Sequence, residues 1–104
     1  MSSRSIDIGP LADEDILDII AYSAQTWGTD RAEEYVESLG NTIALLAQFP
    51  ERGVIVGPRY GDARRLVVGR HIVYYRANET SVRIIRILHV RLRLSPKLLS
   101  EDQS

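Results

Sequence analysis

The chain has 104 residues, of which 44% are hydrophobic and 26% are charged, as is usual for one globular domain. It contains no cysteine, which excludes a disulfide framework, a cysteine-ligated zinc or iron–sulfur site and a thiol nucleophile. No apolar run approaches the roughly 18 residues that span a bilayer, and residues 1–7 lack the apolar core of a signal peptide. We therefore expect a cytoplasmic protein that does not contact a membrane.

Charge is unevenly distributed along the chain, although the net charge is only −1. Residues 1–51 contain ten acids and two bases, whereas residues 52–104 contain four acids and eleven bases, ten of which are arginine. An arginine-rich half is typical of a protein that binds an acidic partner, either protein or nucleic acid, through planar guanidinium groups. The alternative is that the two halves neutralise each other within the folded domain.

The first residues predict a strand and an amphipathic helix. Isoleucines alternate around Asp7, which predicts a strand over residues 3–8. Pro10 suits the first turn of a helix, and residues 11–27 carry apolar side chains at spacings of three and four. This stripe consists of Ala12, Ile16, Ile19, Ile20, Ser23 and Trp27, with Asp15, Asp18, Tyr22 and Gln25 on the opposite side. We expect Trp27 to lie in the core.

A second helix is predicted directly after the first. Gly28 is typical of a helix end, and Thr29 or Asp30 can cap the next helix, with Glu33 completing a capping box. The second stripe consists of Ala32, Tyr35, Val36, Leu39, Ile43, Leu46 and Ala47, and Pro50 ends it. Gly40 in its middle costs roughly 1 kcal/mol relative to alanine, so we expect the two antiparallel helices to approach closely there.

The second half of the chain predicts a loop and three strands. Residues 51–62 are rich in glycine and proline, as loops are. Segments rich in β-branched and aromatic residues follow at 63–68, 70–76 and 82–89. The element order β-α-α-β-β-β predicts an α+β fold, in which a helical hairpin packs on one face of a mostly antiparallel sheet.

The last predicted strand contains Arg86 among apolar residues. If its alternation continues past His89, Arg86 shares a face with Val82, Ile84, Leu88, Val90, Leu92 and Leu94. We expect the aliphatic stem of Arg86 to pack on the core while its guanidinium stays in water. Residues 95–104 are predicted to form a tail anchored by Leu98 and Leu99, so that the domain covers residues 1–94.

Several short motifs occur in an order and spacing typical of one family. They are Ala12-Asp13-Glu14-Asp15-Ile16 with Ile19 and Tyr22, Trp27-Gly28, Ala32-Glu33-Glu34-Tyr35, Leu46-Ala47 with Phe49-Pro50 and Gly53, Arg64-Arg65-Leu66, Gly69-Arg70-His71-Ile72-Val73-Tyr74-Tyr75-Arg76, and Ile84-Ile85-Arg86-Ile87-Leu88-His89 with Arg91. Through these motifs the chain resembles the ParE toxins of bacterial toxin–antitoxin modules, within the RelE/ParE superfamily. The resemblance implies the same fold, inhibition of DNA gyrase by binding, and neutralisation by a ParD-type antitoxin in a hetero-oligomer.

The end of the resembling region departs from the family pattern. ParE-like chains commonly close with His, any residue, Arg, Met and Asp. Here His89-Val90-Arg91 matches, but Leu92-Arg93 replaces Met-Asp, so that a base stands where the family has an acid. This departure motivates a second hypothesis, a non-toxic relic that only binds its antitoxin.

The residue types give little support for catalysis or for a cofactor. There are two histidines and no H-E-x-x-H motif, nucleophile elbow or phosphate-binding loop. We therefore expect no catalytic residues, no metal and no cofactor, and a protein that is not an enzyme. The enzymatic alternative is a RelE-like, ribosome-dependent mRNA endonuclease. Arg64, Arg65, Arg83 and Arg86 would stabilise charge there, and His89 or Glu51 would move protons.

Two sets of candidate binding residues follow. Charge segregation and strand phase give a target-facing set of Arg64, Arg65, Arg83, Arg86, His89, Arg91 and Arg93. The resemblance implies an antitoxin that lays an amphipathic helix and an extended tail on an exposed apolar groove. The candidates for that contact are Leu11, Leu17, Leu45 and Leu92. A net charge of −1 argues against specific nucleic-acid binding by this chain alone.

Overall fold

The computed structural model describes residues 3–101, which form an open sheet with two helices on one face. The elements are β1 (Ser5–Ile8), α1 (Pro10–Trp27), α2 (Thr29–Leu45), β2 (Val54–Ile55), β3 (Arg64–Val68), β4 (His71–Ala77) and β5 (Ser81–His89). The strand order is β1-β5-β4-β3-β2, and only β1 runs parallel to its neighbour. The predicted α+β fold is confirmed. Neither helix in residues 3–101 is long and apolar enough to cross a membrane.

The helical hairpin covers the sheet through the predicted apolar stripes. Ala12 and Ile19 of α1 and Leu39 and Ile43 of α2 are buried. They form the main core together with strand residues, which are Val68, Val73, Tyr75, Val82, Ile84 and Ile87. Burying a large apolar side chain contributes about 1.5–3 kcal/mol, so these stripes are the principal reason that the hairpin docks here.

The junction between the helices differs from the predicted capping box. Gly28 has a φ of +87°, a left-handed conformation that favours glycine. Its carbonyl accepts the Ala32 N–H at 3.1 Å, and α2 begins at Thr29 with no side-chain cap. The predicted capping by Thr29 or Asp30 with Glu33 is therefore wrong, because Gly28 itself both ends α1 and precedes the first turn of α2.

The close approach of the two helices that was predicted at Gly40 is wrong. A Cβ at Gly40 meets no atom within 4 Å, and the residue is exposed. Gly40 instead lines an apolar groove together with Ile6 and Ile8 of β1 and Val36 of α2. The absence of a side chain at this position keeps the groove open.

A bulge in β5 changes which of its residues face the helices. Pairing with β4 skips Ile85, because Tyr74 pairs with Arg86 and Tyr75 pairs with Ile84. The buried residues of β5 in the main core are Val82, Ile84 and Ile87, whereas those in a second core on the other face are Ile85 and Leu88. The predicted uninterrupted alternation is wrong, since the extra residue shifts its phase.

β5 ends at His89 and does not continue to Leu94. The Leu92 N–H donates to the His89 carbonyl at 3.0 Å, which closes a turn. Beyond this turn Leu94 and Leu98 pack against the second core, and Leu99 is buried within it. The predicted extension of the strand is therefore wrong, and the predicted anchoring by Leu98 and Leu99 is confirmed.

The predicted loop at residues 51–62 contains a short edge strand. Val54 and Ile55 pair with the first two residues of β3. Two residues are too few to show the period-2 alternation that identifies a strand, so the sequence pattern did not predict it. Both side chains are exposed at this edge.

Tyr75 holds this loop against the sheet from within the main core. Its hydroxyl donates to the Pro50 carbonyl at 2.6 Å and accepts the Gly53 N–H at 2.8 Å. Burial raises the pKa of the Tyr75 phenol, so the hydroxyl stays protonated. Tyr75 therefore ties residues 50–53 to β4.

Candidate functional site

The predicted target-facing residues fall into three groups, of which the first lies inside the fold. Arg86 forms two parallel hydrogen bonds with Asp15 of α1, from Nε at 2.8 Å and from Nη2 at 2.9 Å. Asp15 also accepts the Ile87 N–H at 2.9 Å, and Arg86 Nη1 donates to the Leu98 carbonyl at 3.2 Å. The hydrogen bonds to Asp15 raise the pKa of Arg86. Both side chains of the pair are mostly buried, at 18% and 12% exposed.

This ion pair corrects two predictions. Asp15 was expected on the solvent side of α1, but it faces the sheet. Arg86 was expected to hold its guanidinium in water, but Asp15 binds it. The bulge at Ile85 re-aims this part of β5, which the sequence alternation could not show. Arg86 is thus part of the fold and is not available to face a target.

Arg83 has a similar structural role where β5 pairs with β1. It bonds Asp7 of β1 at 2.6 Å and Glu101 at 2.8 Å. Hydrogen bonds to Glu101 and Asp7 raise the pKa of Arg83. This pairing links β1, β5 and the C-terminal segment. Together with the Arg86–Asp15 pair, these contacts show that the acidic and basic halves of the chain partly neutralise each other within the fold, which was the alternative to binding an acidic partner.

Arg64 and Arg65 form the second group, at the start of β3. Arg64 Nη1 donates to the Gly53 carbonyl at 2.7 Å and is half-buried. Arg65 is exposed and pairs in register with Tyr74. Since His89 pairs with His71 at the other end of β4, the structure does not bring this group together with His89.

His89, Arg91 and Arg93 form the third group, which is exposed at the end of β5. The Arg91 N–H donates to His89 Nδ1 at 3.1 Å, which fixes the orientation of the imidazole. The Val90 N–H donates to the Arg70 carbonyl at 2.9 Å, so that the β3–β4 turn lies beside this segment. We call Arg70, His89, Arg91 and Arg93 the basic end.

The arginines of the basic end differ from Arg83 and Arg86 in having no ion pair with any carboxylate in residues 3–101. Within residues 3–101, no carboxylate oxygen lies within 4.0 Å of Arg70, Arg91 or Arg93. Their guanidinium groups therefore keep their donors for an external oxyanion.

A ladder of five aromatic rings connects the basic end with α1 and α2. The rings are Tyr22, Trp27, Tyr35, His71 and His89, with successive centroid distances of 6.2, 6.0, 5.6 and 5.5 Å. Trp27 was expected in the core, but it is only half-buried, and the Arg70 guanidinium lies 5.0 Å from its ring centroid. The prediction is wrong because Trp27, in the last turn of α1, packs beside the Tyr35 ring and the β3–β4 turn and not within the main core.

Tyr35 is the centre of this ladder and joins three elements. Its hydroxyl accepts the Arg70 N–H at 3.0 Å and lies 3.1 Å from the Val68 carbonyl oxygen and 2.6 Å from His71 Nδ1. The one hydroxyl proton goes to the Val68 carbonyl when His71 carries a proton on Nδ1, and to Nδ1 in the other tautomer. Gly69 is required beside it: its φ is +58°, and a Cβ would lie 2.6 Å from the Tyr35 ring.

The His71 imidazole makes stability depend on pH. Burial lowers the pKa of His71 and His89 of β5 lowers it further, while Asp15 of α1 partly offsets both. The unfolded chain therefore binds a proton near pH 6.5 that the folded protein takes up only at lower pH. We expect the free energy of unfolding to fall as the pH drops below about 6.5. The His71→Gln variant should lack the part of this pH dependence that is due to His71. Urea unfolding of both proteins between pH 7.5 and 5.5 measures how the free energy of unfolding changes with pH. An equal change in the two proteins would show that His71 is not the titrating group.

An apolar groove lies on the other side of α2. One stretch is lined by Ile6, Ile8, Ile16, Val36, Leu39, Gly40, Ile43 and Ala44. A second stretch, lined by Ile20, Ala24, Thr29, Ala32, Glu33, Val36 and Glu37, shares Val36 with the first. We call the two together the hairpin groove. The predicted antitoxin contacts Leu11, Leu17, Leu45 and Leu92 do not line it, although all but Leu11 are well exposed.

Two comparisons of sequence identify the family. Residues 6–92 match the model of the family described as ParE toxin of type II toxin-antitoxin system, parDE. The chain belongs to the ParE toxin family. It is 38% identical over 78 residues to Toxin ParE1 of Caulobacter vibrioides, which covers 75% of this chain and 80% of that protein. It is 30% identical over 99 residues to Toxin ParE1 of Mycobacterium tuberculosis, with 94% and 100% covered.

The fold of this ParE toxin is also that of a solved structure. A chain of the chromosomal ParDE TA system from P. aeruginosa superposes with a TM-score of 0.74, covers 86% of this chain and 98% of its own, and is 19% identical. The predicted resemblance is confirmed: the chain is a ParE-type toxin of a type II toxin–antitoxin system. The matched region includes His89 and Arg91 of the basic end, and Arg93 follows it.

Proposed function

We propose that this ParE toxin inhibits DNA gyrase in the cytoplasm by binding it, with no chemistry of its own. The observation that carries the proposal is the basic end, where Arg70, Arg91 and Arg93 are exposed and, within residues 3–101, have no carboxylate within 4.0 Å. His89, Arg91, Arg93 and, further along the sheet, Arg65 face the target. Arg64, Arg83 and Arg86 belong to the fold and act only by positioning these elements.

The ribonuclease alternative has less support from the same geometry. Its charge stabilisation relied on four arginines, of which Arg83 and Arg86 are held by carboxylates and Arg64 by a backbone carbonyl. Carboxylates this close cancel the positive charge that a cleaved phosphate needs. A binding mechanism requires only the exposed members of the set.

Charge reversal at the end of β5 tests the gyrase surface. We expect Arg91→Glu/Arg93→Glu to raise the concentration that half-inhibits DNA supercoiling by purified gyrase by about tenfold or more, as loss of interface arginines does. Arg59→Glu is the matched control, because Arg59 is an exposed arginine outside the basic end. Equal inhibition by the double variant, with unchanged circular dichroism, would remove the basic end from the target surface.

We further propose that a ParD-type antitoxin neutralises the toxin in a hetero-oligomer and docks in the hairpin groove. The groove is apolar along its length, and β1 beside it has a free edge within residues 3–101. An amphipathic helix seats its apolar face in such a groove, and an extended segment can follow the strand edge. This placement refines the predicted contact, which named exposed leucines outside the groove.

Filling the groove tests the antitoxin contact. Because a side chain at Gly40 meets open space, Gly40→Trp fills the groove without displacing a core residue. We expect it to weaken binding of the cognate ParD-type antitoxin by about tenfold or more in titration calorimetry. Leu17→Trp is the matched control on the exposed side of α1. Full affinity of Gly40→Trp with weakened Leu17→Trp would assign the contact to the leucines and not to the groove.

A further inference from the structure

A second cleft lies between α2 and the β3–β4 turn, on the side of α2 away from the hairpin groove. It encloses about 400 Å³ and is lined by Trp27, Arg31, Glu34, Tyr35 and Arg70 among others. We call it the turn cleft. Two arginines reach it from different elements, Arg31 from the first turn of α2 and Arg70 from the turn between β3 and β4.

Arg70 is held in place by both its backbone and its side chain. Its N–H donates to the Tyr35 hydroxyl at 3.0 Å, its carbonyl accepts the Val90 N–H, and its guanidinium lies 5.0 Å from the Trp27 ring centroid. A guanidinium fixed on a ring face has already lost most of its rotamer freedom, so that binding an oxyanion costs less entropy.

Neither arginine of the turn cleft forms an ion pair with another part of the chain that the structure describes. Within the described residues, no carboxylate oxygen lies within 4.0 Å of Arg31 or Arg70, although Glu34 lines the same cleft. By contrast, the carboxylates of Asp7, Asp15 and Glu101 are placed directly on other arginines. The turn cleft thus combines two donors for an oxyanion with aromatic walls.

We propose that the turn cleft binds a carboxylate-bearing segment of the toxin's protein target, with Arg70 as the anchor and Arg31 opposite it. This inference rests on the proposed function, in that the toxin acts by binding a target. Arginine, tryptophan and tyrosine are the residue types that dominate binding energy in protein interfaces. The Val90–Arg70 hydrogen bond makes the cleft continuous with the basic end, so that one partner surface can cover both.

The surroundings of the cleft favour a protein carboxylate over a DNA backbone. Glu34 lines it, and Asp30, next to Arg31 in the first turn of α2, is a second exposed acid. A polyphosphate backbone would pass close to these acids and be repelled, whereas a single carboxylate presented by a protein reaches the two arginines alone.

The test combines toxicity in cells with direct binding to purified gyrase in the absence of DNA. The variants are Arg70→Glu, Arg31→Glu and Trp27→Leu, with Arg59→Glu as the matched control. We expect each of the first two to raise the dissociation constant for gyrase by about tenfold or more and to abolish growth arrest on induction. Antitoxin binding should remain unchanged, which also shows that the variants are folded.

The outcomes separate this inference from the proposed function. If the wild-type protein is toxic but does not bind gyrase, gyrase is not the target. In that case, loss of toxicity in the Arg70→Glu variant would by itself still support the turn cleft as a binding site. Full toxicity of both charge reversals contradicts the cleft and leaves the gyrase proposal standing. The assignment to a protein target is overturned if the toxin binds gyrase only when DNA is present. It is also overturned if the charge-reversal variants lose antitoxin binding and stay toxic. A wild-type protein that arrests no growth overturns both.

Discussion

Replacing Asp15 by alanine is expected to lower the free energy of unfolding by about 3–5 kcal/mol, because it leaves the mostly buried Arg86 guanidinium without its partner. The variant loses two hydrogen bonds from Arg86 and the one that Asp15 accepts from the Ile87 N–H. It also loosens the contact of Arg86 with the C-terminal segment at Leu98. Equilibrium urea unfolding measures the loss.

Two comparisons make this prediction specific to the buried pair. Asp62→Ala breaks the Arg76–Asp62 pair, whose side chains are 38% and 72% exposed, and should cost less than about 1 kcal/mol. Asp15→Ala/Arg86→Met removes both charges and should be more stable than Asp15→Ala alone, since no unpaired charge stays buried. An Asp15→Ala variant as stable as Asp62→Ala would show that the pair is solvated in solution.

Replacing Gly53 by alanine is the second change with a large expected effect. The new Cβ would lie 2.5 Å from Tyr75 Oη and 2.7 Å from the Arg65 carbonyl, and both are fixed by the sheet. The loop must shift, which costs about 1–3 kcal/mol for overpacking and about 1–3 kcal/mol more for each hydrogen bond of the Tyr75 hydroxyl that is left unpaired. We therefore expect a loss of at least about 3 kcal/mol in the same unfolding assay.

Two variants locate the cause of this loss. Tyr75→Phe should account for the hydrogen-bond part alone, because it removes the hydroxyl and adds no Cβ at residue 53. Gly40→Ala is the control for glycine replacement, since it meets no atom within 4 Å in the middle of α2 and should stabilise by about 0.5–1 kcal/mol. A Gly53→Ala variant that is as stable as the wild type would contradict the close approach.

The fold could be predicted where one local pattern decides the structure. The stripes of α1 and α2 repeat with the helical period over many turns, and the strands of the second half are rich in β-branched residues. The bulge at Ile85 could not be predicted in this way. A bulge depends on the pairing of two strands and does not change the alternation of apolar and polar residues in the sequence of one strand. Val54 and Ile55 formed a strand too short to be recognised.

The candidate site was predicted only in part, for a related reason. Exposed arginines were predicted after His89, and Arg91 and Arg93 are exposed there although β5 has already ended. Whether an arginine is free depends on which acid the fold brings to it, and Asp15 is 71 residues from Arg86. The placement of Arg70 on Trp27 likewise joins residues from two distant elements. The Gly69-Arg70 pair in the β3–β4 turn places an arginine at the turn but does not indicate its contact with Trp27.

The most direct test of gyrase inhibition is a DNA cleavage assay with purified gyrase, ATP, supercoiled plasmid and the folded toxin. We expect linear DNA covalently linked to gyrase to accumulate as toxin is added, and prior mixing with the ParD-type antitoxin to suppress it. Unchanged gyrase cleavage and supercoiling with folded protein would show that gyrase is not the target. The Leu92-Arg93 departure would then indicate a different target, or a relic if induction also leaves growth unaffected.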